Sequence, residues 1–421
     1  MDTTASRVTS AWRWVPTLYY GQGLPYVVVI TVSTVLYKNL GVSNTDLALA
    51  TSWLYLPWVI KPLWSPLIEL HGRKRQWIGR LQFVLAAGFA LVGLAVPTAG
   101  FFPLTAALFW LLALASATHD IAADGFYLFA LAPDNQARFV GVRSTFYRLA
   151  LLSGQGGLVF LAGWLARRGT VTGAWSVVFW LAAVVFFALA LYHTWILPRP
   201  DTDRPLASGA SQWADFLAAF AAFFRKPGIG RALAFLLLYR FAEAQLLKLV
   251  NPFLLDARAA GGLGLTDQQV GVLYGGFGVL ALVAGGLVGG LALARGGLRR
   301  WLWPMIVAMY LPNTVFIYLA LAQPQNLAVI GAALTVEQFG YGFGFSAYLV
   351  FLMQFADGEH RTAHYAIGTG FMALGMMLPG LGAGWLEDKL GYVHFFGWVC
   401  LAAIPSFAAT ALVRPAAREN A

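Results

Sequence analysis

Long apolar runs broken by short polar stretches account for most of the chain, and they set its architecture before any single motif does. Read against those breaks they give twelve segments, roughly 14–37, 46–68, 77–97, 103–130, 138–166, 174–196, 229–255, 267–293, 300–321, 326–355, 362–386 and 392–413. At about 1.5 Å of rise per residue each is long enough, as a helix, to cross a hydrocarbon core of about 30 Å. The expected fold is therefore all-α: a polytopic membrane protein with twelve transmembrane helices. The longest polar interruption runs from Leu197 to Gly228 and carries Pro198, Pro200 and Pro205. Within it Trp213, Phe216, Leu217, Phe220 and Phe224 recur at helical spacing, which predicts an amphipathic helix lying along the membrane surface.

Composition narrows the class. Of 421 residues, 59% are hydrophobic and only 11% are charged, with 31 Phe and 16 Trp. Soluble domains carry about 25% charged residues, so a set of soluble domains is excluded. The net charge of +10 would suggest nucleic acid in a soluble protein; here the cations sit between apolar runs. Loops on one side hold Arg13, Arg73, Lys74, Arg75, Arg80, Arg138, Arg199, Arg225, Lys226, Arg295, Arg299 and Arg300, among others. The opposite loops hold only Lys38, Arg167, Arg168, Arg258 and Lys389. The cation-rich side is the cytoplasmic one, which puts both termini in the cytoplasm, and the basic loops meet anionic lipid rather than nucleic acid. The residues before Trp14 lack the short apolar core of a removable leader, so the first run is expected to remain as a helix. The single cysteine, Cys400, permits neither an internal disulfide nor a thiolate metal site; it reads as a small buried hydrophobe. No cofactor or metal is called for.

The chain also repeats itself. Ala162-Gly163-Trp164-Leu165 returns as Ala383-Gly384-Trp385-Leu386, Asp134 and Arg138 return as Asp357 and Arg361, and Thr45-Asp46 returns as Thr266-Asp267. After the second segment stand Glu69, Gly72, Arg73 and Arg75; after the eighth stand Arg295, Gly297, Arg299 and Arg300. All four matches lie at nearly one offset and at equivalent places in the topology. The chain therefore divides into an N-terminal six-helix half (1–196), a connector with its amphipathic helix (197–228) and a C-terminal six-helix half (229–421). Parallel six-helix halves are the architecture of the major facilitator superfamily. The paired loops resemble that superfamily's signature, in which an acid caps a helix end and cations pair with it to latch one conformation. By that resemblance Glu69, Gly72, Arg73, Arg75, Arg295, Gly297 and Arg299 are gating residues; Glu69 stands where Asp is usual, and Ala294 removes the acid from the second copy.

In that superfamily the first, fourth, seventh and tenth helices line the transport pathway, which directs attention to their polar faces. On the fourth, Asp120, Asp124 and Tyr127 share a face, with His119 turned about 100° away. The first carries Tyr19, Gln22 and Tyr26, the fifth Arg148 and Gln155, the seventh Arg240, Glu243 and Asn251, and the tenth Glu337 and Tyr341. Asp120, Arg148 and Arg240 fall about 15–18 Å from their helix ends, near mid-membrane, where a charge costs about 2.5–3.5 kcal/mol and is kept for a job. Arg148 is the expected partner of Asp120, Arg240 and Glu243 are expected to pair along their own helix, and Lys61 is expected to snorkel to an interface. The glycine pairs Gly275-Gly276, Gly285-Gly286 and Gly289-Gly290 lie inside a membrane helix and read as close packing rather than as a nucleotide loop.

Leu63-Trp64-Ser65-Pro66-Leu67, His119-Asp120-Ile121-Ala122-Ala123-Asp124-Gly125, Tyr147-Arg148-Leu149 and Gly271-Val272 resemble the AmpG-like muropeptide permease family, whose wider group includes acetyl-CoA transporters. The family pattern Asp-Ile-x-x-Asp-Ala is kept except at Gly125, and His119 replaces the usual Gln. The resemblance implies an inner-membrane secondary transporter that imports N-acetylglucosaminyl-anhydro-N-acetylmuramyl sugars and peptides with protons. It makes Asp120 and Asp124 the acids needed for transport, with His119 and Glu337 also assigned to proton coupling. Tyr19, Gln22, Tyr26, Tyr127, Arg148, Gln155, Arg240, Glu243, Asn251 and Tyr341 are then expected to meet the cargo. Because the stretch Gly344–Leu349 carries no acid, coupling is assigned to the first half. The expected partners are a small sugar or glycopeptide, protons and membrane lipids. The alternatives are import of another oligosaccharide or of an acylated anion such as acetyl-CoA, and, outside transport, a membrane-embedded transferase or a non-transporting receptor.

Overall fold

In the computed structural model, residues 11–413 are described apart from 71, 132, 201, 202, 204–209 and 359. Those residues are helical with no strand, as backbone groups in lipid demand when every N–H and C=O must be satisfied within its own segment. Seven helical stretches are long and apolar enough to cross a membrane; Asp267–Ala322, at 56 residues, covers two passes. Several of the others are interrupted in the middle, which is why they fall short as continuous spans. The first helix runs through Val15–Val27, a π-helical turn at Val28–Val32 and Ser33–Asn39. The second is Asn44–Trp53 followed by Leu56–Leu70. The third, fourth and sixth are Lys74–Ala95, Phe101–Ala130 and Val171–Ile196, and the fifth is Pro133–Leu151 continued through a π-turn at Leu152–Leu158 to Val159–Ala166. The seventh breaks between Ile229–Leu238 and Phe241–Leu255, the tenth is Leu327–Ala356, and the eleventh begins as Arg361–Leu381.

The internal repeat has a conformational counterpart. Gly72 (φ 88°) and Gly297 (φ 69°) both sit in the left-handed region between consecutive helices, where a Cβ is strained. At the other repeated position the helix caps are Ser43, which accepts from the Asp46 amide, and Thr266, which closes a capping box with Gln269. The caps thus align Ser43 with Thr266, two residues out of step with the pairing of Thr45 and Thr266 read from the sequence; the short polar motif is the same, and its register is set by which hydroxyl takes the N3 amide.

The predicted connector helix is present as Ala210–Phe224. Its anchor is Phe223, fully buried and stacked on Phe371 at 6.1 Å, while His364 bonds the Ala219 carbonyl at 3.1 Å. Leu217 and Phe224 stay exposed. Lys226 then donates to the carbonyls of Phe355 and Asp357, each at 2.6 Å, a cation on the negative end of the tenth helix.

The chain forms two compact units: the described residues of Met1–Ser33 with Ile60–Trp213, and those of Thr34–Val59 with Ala214–Ala421. The first packs around Trp14, Tyr19, Ile78, Phe126 and Tyr127. The second packs around Phe235, Tyr239, Phe253, Tyr310, Tyr348 and Phe396. In the second unit the glycines permit a near backbone-to-backbone crossing: a Cβ on Gly285 would lie 2.1 Å from the Phe339 carbonyl oxygen, and one on Gly342 2.1 Å from that of Leu282. Close packing is therefore the role of this cluster. Gly342→Val should separate the eighth and tenth helices and abolish the monodisperse folded species in detergent; a variant with unchanged thermal stability would contradict this packing.

Also within the second unit, the end of the first helix and the start of the second are tied to later helices by a polar lattice. Lys38 pairs with Asp256 at 2.6 Å and donates to Asn44 at 2.8 Å. Asn44 donates to Glu387 at 2.6 Å and to the Tyr392 hydroxyl at 3.1 Å, and Tyr392 donates to Asp256 at 2.6 Å. Asn39 donates to Asp267 at 2.7 Å, and the Thr45 hydroxyl to Asp388.

Candidate functional site

The acids of the fourth helix are in place, with partners different from those expected. Arg143 donates to Asp124 at 2.9 Å, the Tyr19 hydroxyl donates to the same oxygen at 3.2 Å, and the guanidinium lies 4.4 Å over the Tyr19 ring and 5.1 Å from that of Tyr127. The Asp124 side chain is 43% exposed and that of Arg143 32%, so this acid–base pair is only partly covered by the protein. Asp120 lies deeper, 3.9 Å from the ammonium of Lys61. The fifth helix begins at Pro133, a residue whose missing N–H suits the first turn, so Arg148 lies about 22 Å and Arg143 about 15 Å from its start, and it is Arg143 that stands beside the fourth-helix acids. Lys61 does not turn back to an interface.

Around this cluster Gln22 is buried and its amide oxygen accepts no hydrogen bond. The rings of Tyr26 and Tyr147 stand 6.5 Å apart. Arg148 and Gln155 are half-buried, the latter in the π-turn of the fifth helix.

His119 faces away from the acids, into a buried chain of polar groups. Gln82 on the third helix approaches His119 Nε2 at 3.0 Å through its amide nitrogen and His193 Nδ1 at 2.9 Å through its oxygen. Thr17 lies 2.9 Å from His193 Nε2 and donates its own proton to the Trp14 carbonyl. With the Gln82 amide nitrogen donating, His119 accepts at Nε2, and with the amide oxygen accepting, His193 donates from Nδ1. Gln82→Leu would strand two buried imidazoles at about 1–3 kcal/mol for each lost partner, so a clear fall in Tm is expected; an unchanged Tm would show that the chain does not hold these helices together.

In the second unit Arg240 occupies the break of the seventh helix, with φ −111° and ψ 20°. That break removes the regular three-residue spacing that would align it with Glu243. Its guanidinium donates to the Tyr341 hydroxyl and lies 4.8 Å from the Phe345 ring. Glu243 is fully buried and neither of its carboxylate oxygens accepts a hydrogen bond. Glu337, also fully buried, accepts from Gln338 at 2.9 Å. Asn251 approaches Thr34 at 3.4 Å.

Of the gating residues, Gly72 and Gly297 turn the chain as described, Arg73 is the N-cap of the third helix, and Arg295 and Arg299 are exposed. The side chain of Glu69 lies outside the described residues. An acid does cap the third helix, and it comes from the connector: Asp203 accepts from the amides of Lys74 at 2.8 Å and Arg75 at 3.1 Å. The Arg75 side chain spans from there to the carbonyls of Leu197, at 3.1 Å, and Thr194.

Four functional candidates escaped sequence reasoning. Arg143 stands five residues from Arg148 on the fifth helix, and no local spacing chooses between the two cations. Asp203 and Asn313 carry no local signal. Lys248 is buried in the middle of an apolar helix, its ammonium 3.1 Å from the Thr51 hydroxyl and 5.0 Å over the Tyr55 ring; a lysine inside a membrane segment is itself the signal.

A helical chain with seven membrane-length apolar stretches and charged side chains set among them has the build of a membrane protein. Residues 19–378 match the family model of the Major Facilitator Superfamily, and the chain belongs to that superfamily. Among solved structures it resembles the nucleoside transporter NupG (TM-score 0.72, 15% identity, 96% of this chain and 100% of that one). It also resembles a D-xylose-proton symporter (TM-score 0.69, 14% identity, 99% and 98%). These likenesses show the fold. Within the superfamily its relatives are AmpG-like, as the fourth-helix motif implied. The chain is 27% identical to the anhydromuropeptide permease of Escherichia coli (strain K12) over 395 residues, 92% of this chain and 76% of the relative. It is 22% identical to transporter AmpG 4 of Rickettsia conorii, over 91% of this chain and 92% of that one.

Proposed function

We propose that the chain is a proton-coupled importer of anhydromuropeptides in a bacterial inner membrane, working by alternating access with both termini in the cytoplasm. The observation that carries this reading is the Asp124–Arg143 pair, framed by Tyr19 and Tyr127 and partly exposed within long apolar helices. Such a group suits a glycopeptide: a cation for a carboxylate, tyrosine rings for sugar faces, and hydroxyl and amide groups for sugar hydroxyls. Tyr26, Arg148 and Gln155 extend it on the same side, and Arg240, Asn251 and Tyr341 are the cargo groups assigned to residues 229–421. Asp120 and Asp124 carry protons in the first half, Asp120 switching between Lys61 and a bound proton.

The halves 1–196 and 229–421 are the moving bodies, joined by 197–228. The lattice that ties Lys38, Asn39, Asn44 and Thr45 to Asp256, Asp267, Glu387 and Asp388 is the closed outer gate. The loops carrying Glu69, Gly72, Arg73 and Arg75, and Arg295, Gly297 and Arg299, form the inner gate, with Asp203 supplying the capping acid in the first.

A thermal-shift comparison of purified protein tests the cargo. A ligand at a hundred times its Kd stabilises the folded state by about 2.7 kcal/mol. N-acetylglucosaminyl-anhydro-N-acetylmuramyl peptide should raise Tm, and Asp124→Asn should remove the rise. Stabilisation by coenzyme A esters or by unrelated oligosaccharides, with none by muropeptide, would replace the assigned cargo.

A further inference from the structure

The second unit buries two carboxylates that the cargo reading leaves unexplained. Glu243 on the seventh helix and Glu337 on the tenth are both completely inaccessible. Three of their four oxygens, both of Glu243 and Oε1 of Glu337, accept no hydrogen bond. The fourth accepts from Gln338 at 2.9 Å, whose amide nitrogen also approaches the Tyr274 hydroxyl at 3.2 Å. Asn313, 1% exposed at the start of the second part of the ninth helix, stands beside Glu243 with its amide placed to bond the carboxylate. Two fully buried carboxylates with so few donors around them mark a site that needs a further positive charge.

The other charged and titratable groups facing this site are Arg240 on the seventh helix, Tyr274 on the eighth, Tyr310 on the ninth and Tyr341 on the tenth. Arg240 supplies one positive charge against two acids, and its guanidinium also donates to the Tyr341 hydroxyl. That contact joins the seventh and tenth helices about one turn from both carboxylates, and two buried acids sharing one cation leave an excess negative charge. Adding one proton cancels that excess and gives one of the carboxyl groups an O–H donor.

We propose that Glu243, Glu337 and Asn313 form a proton-binding site in the C-terminal half, with a single proton held between the two carboxyl groups. This deepens the transport reading, on which it rests, and moves part of the coupling out of the first half. Binding converts one carboxylate to a carboxylic acid and release returns the proton to water, so no other reactant is needed. Glu243 thereby becomes a coupling residue rather than a cargo contact.

Two measurements keep this separable from the identity of the cargo. Infrared difference spectroscopy of the purified protein needs no substrate: a protonated carboxyl C=O band is expected at neutral pH, lost or shifted in both Glu243→Gln and Glu337→Gln. Its absence from the unsubstituted protein, or its persistence in both variants, would overturn the site. In proteoliposomes each Gln variant should retain cargo exchange across the membrane while losing at least tenfold of pH-gradient-driven accumulation. Full accumulation by both variants would overturn the coupling role. A sodium-dependent rise in Tm that both variants abolish, with no protonated carboxyl band, would assign the site to sodium and also overturn it. If unsubstituted protein moves no muropeptide yet shows the band, the cargo reading fails and the proton site stands.

Discussion

Asp124→Asn should reduce gradient-driven uptake of anhydromuropeptide by about ten- to a hundredfold while leaving the protein folded. Asp124 accepts from both Arg143 and Tyr19, and a hydrogen bond to a charged group is worth about 1.5–3 kcal/mol, a factor of about ten to a hundred. The side chains are 32% and 43% exposed, so the pair's contribution to stability is at most about 1 kcal/mol. The loss therefore falls on transport. Asp124→Glu, which keeps the charge, should recover part of the uptake. A carboxamide variant that transports normally would remove Asp124 from the mechanism.

Breaking the lattice at Lys38 should open the outer side. Lys38 holds Asp256 at 2.6 Å with both side chains mostly buried, and it also braces Asn44. Losing about 1.5–3 kcal/mol from one of two states shifts their ratio about ten- to a hundredfold. Cys400 is the single cysteine, so Cys400→Ser gives a clean background in which Ser52→Cys reports access from outside. Ser52 is fully buried and its hydroxyl has no hydrogen-bond partner, so the probe costs no bond. Added Lys38→Met should raise its labelling rate by a membrane-impermeant thiol reagent at least tenfold. Equal rates would mean that the lattice is not a gate.

Much of this molecule was legible as pattern. Apolar run length gave the helical, membrane-length stretches, because it rests on local spacing. The acids of the fourth helix stood out because charge inside an apolar run is costly. What pattern could not supply was pairing. Arg148 was expected beside Asp120, yet Asp120 meets Lys61 and Arg143 meets Asp124, since side-chain partners across helices depend on axial register to within a turn. The seventh-helix break at Arg240 likewise has no breaker residue to announce it, and it sends the guanidinium to Tyr341. Asp203 and Asn313 act through tertiary contact, on a helix terminus and beside a buried acid, and no local spacing encodes either.

The central claim is proton-driven import, and one measurement reaches it most directly. Purified protein in proteoliposomes, given labelled N-acetylglucosaminyl-anhydro-N-acetylmuramyl peptide and a pH gradient acid on the side of entry, should accumulate it above the external concentration. A protonophore should collapse that accumulation to equilibrium. Uptake that reaches only equilibrium and ignores both gradient and protonophore would contradict the account.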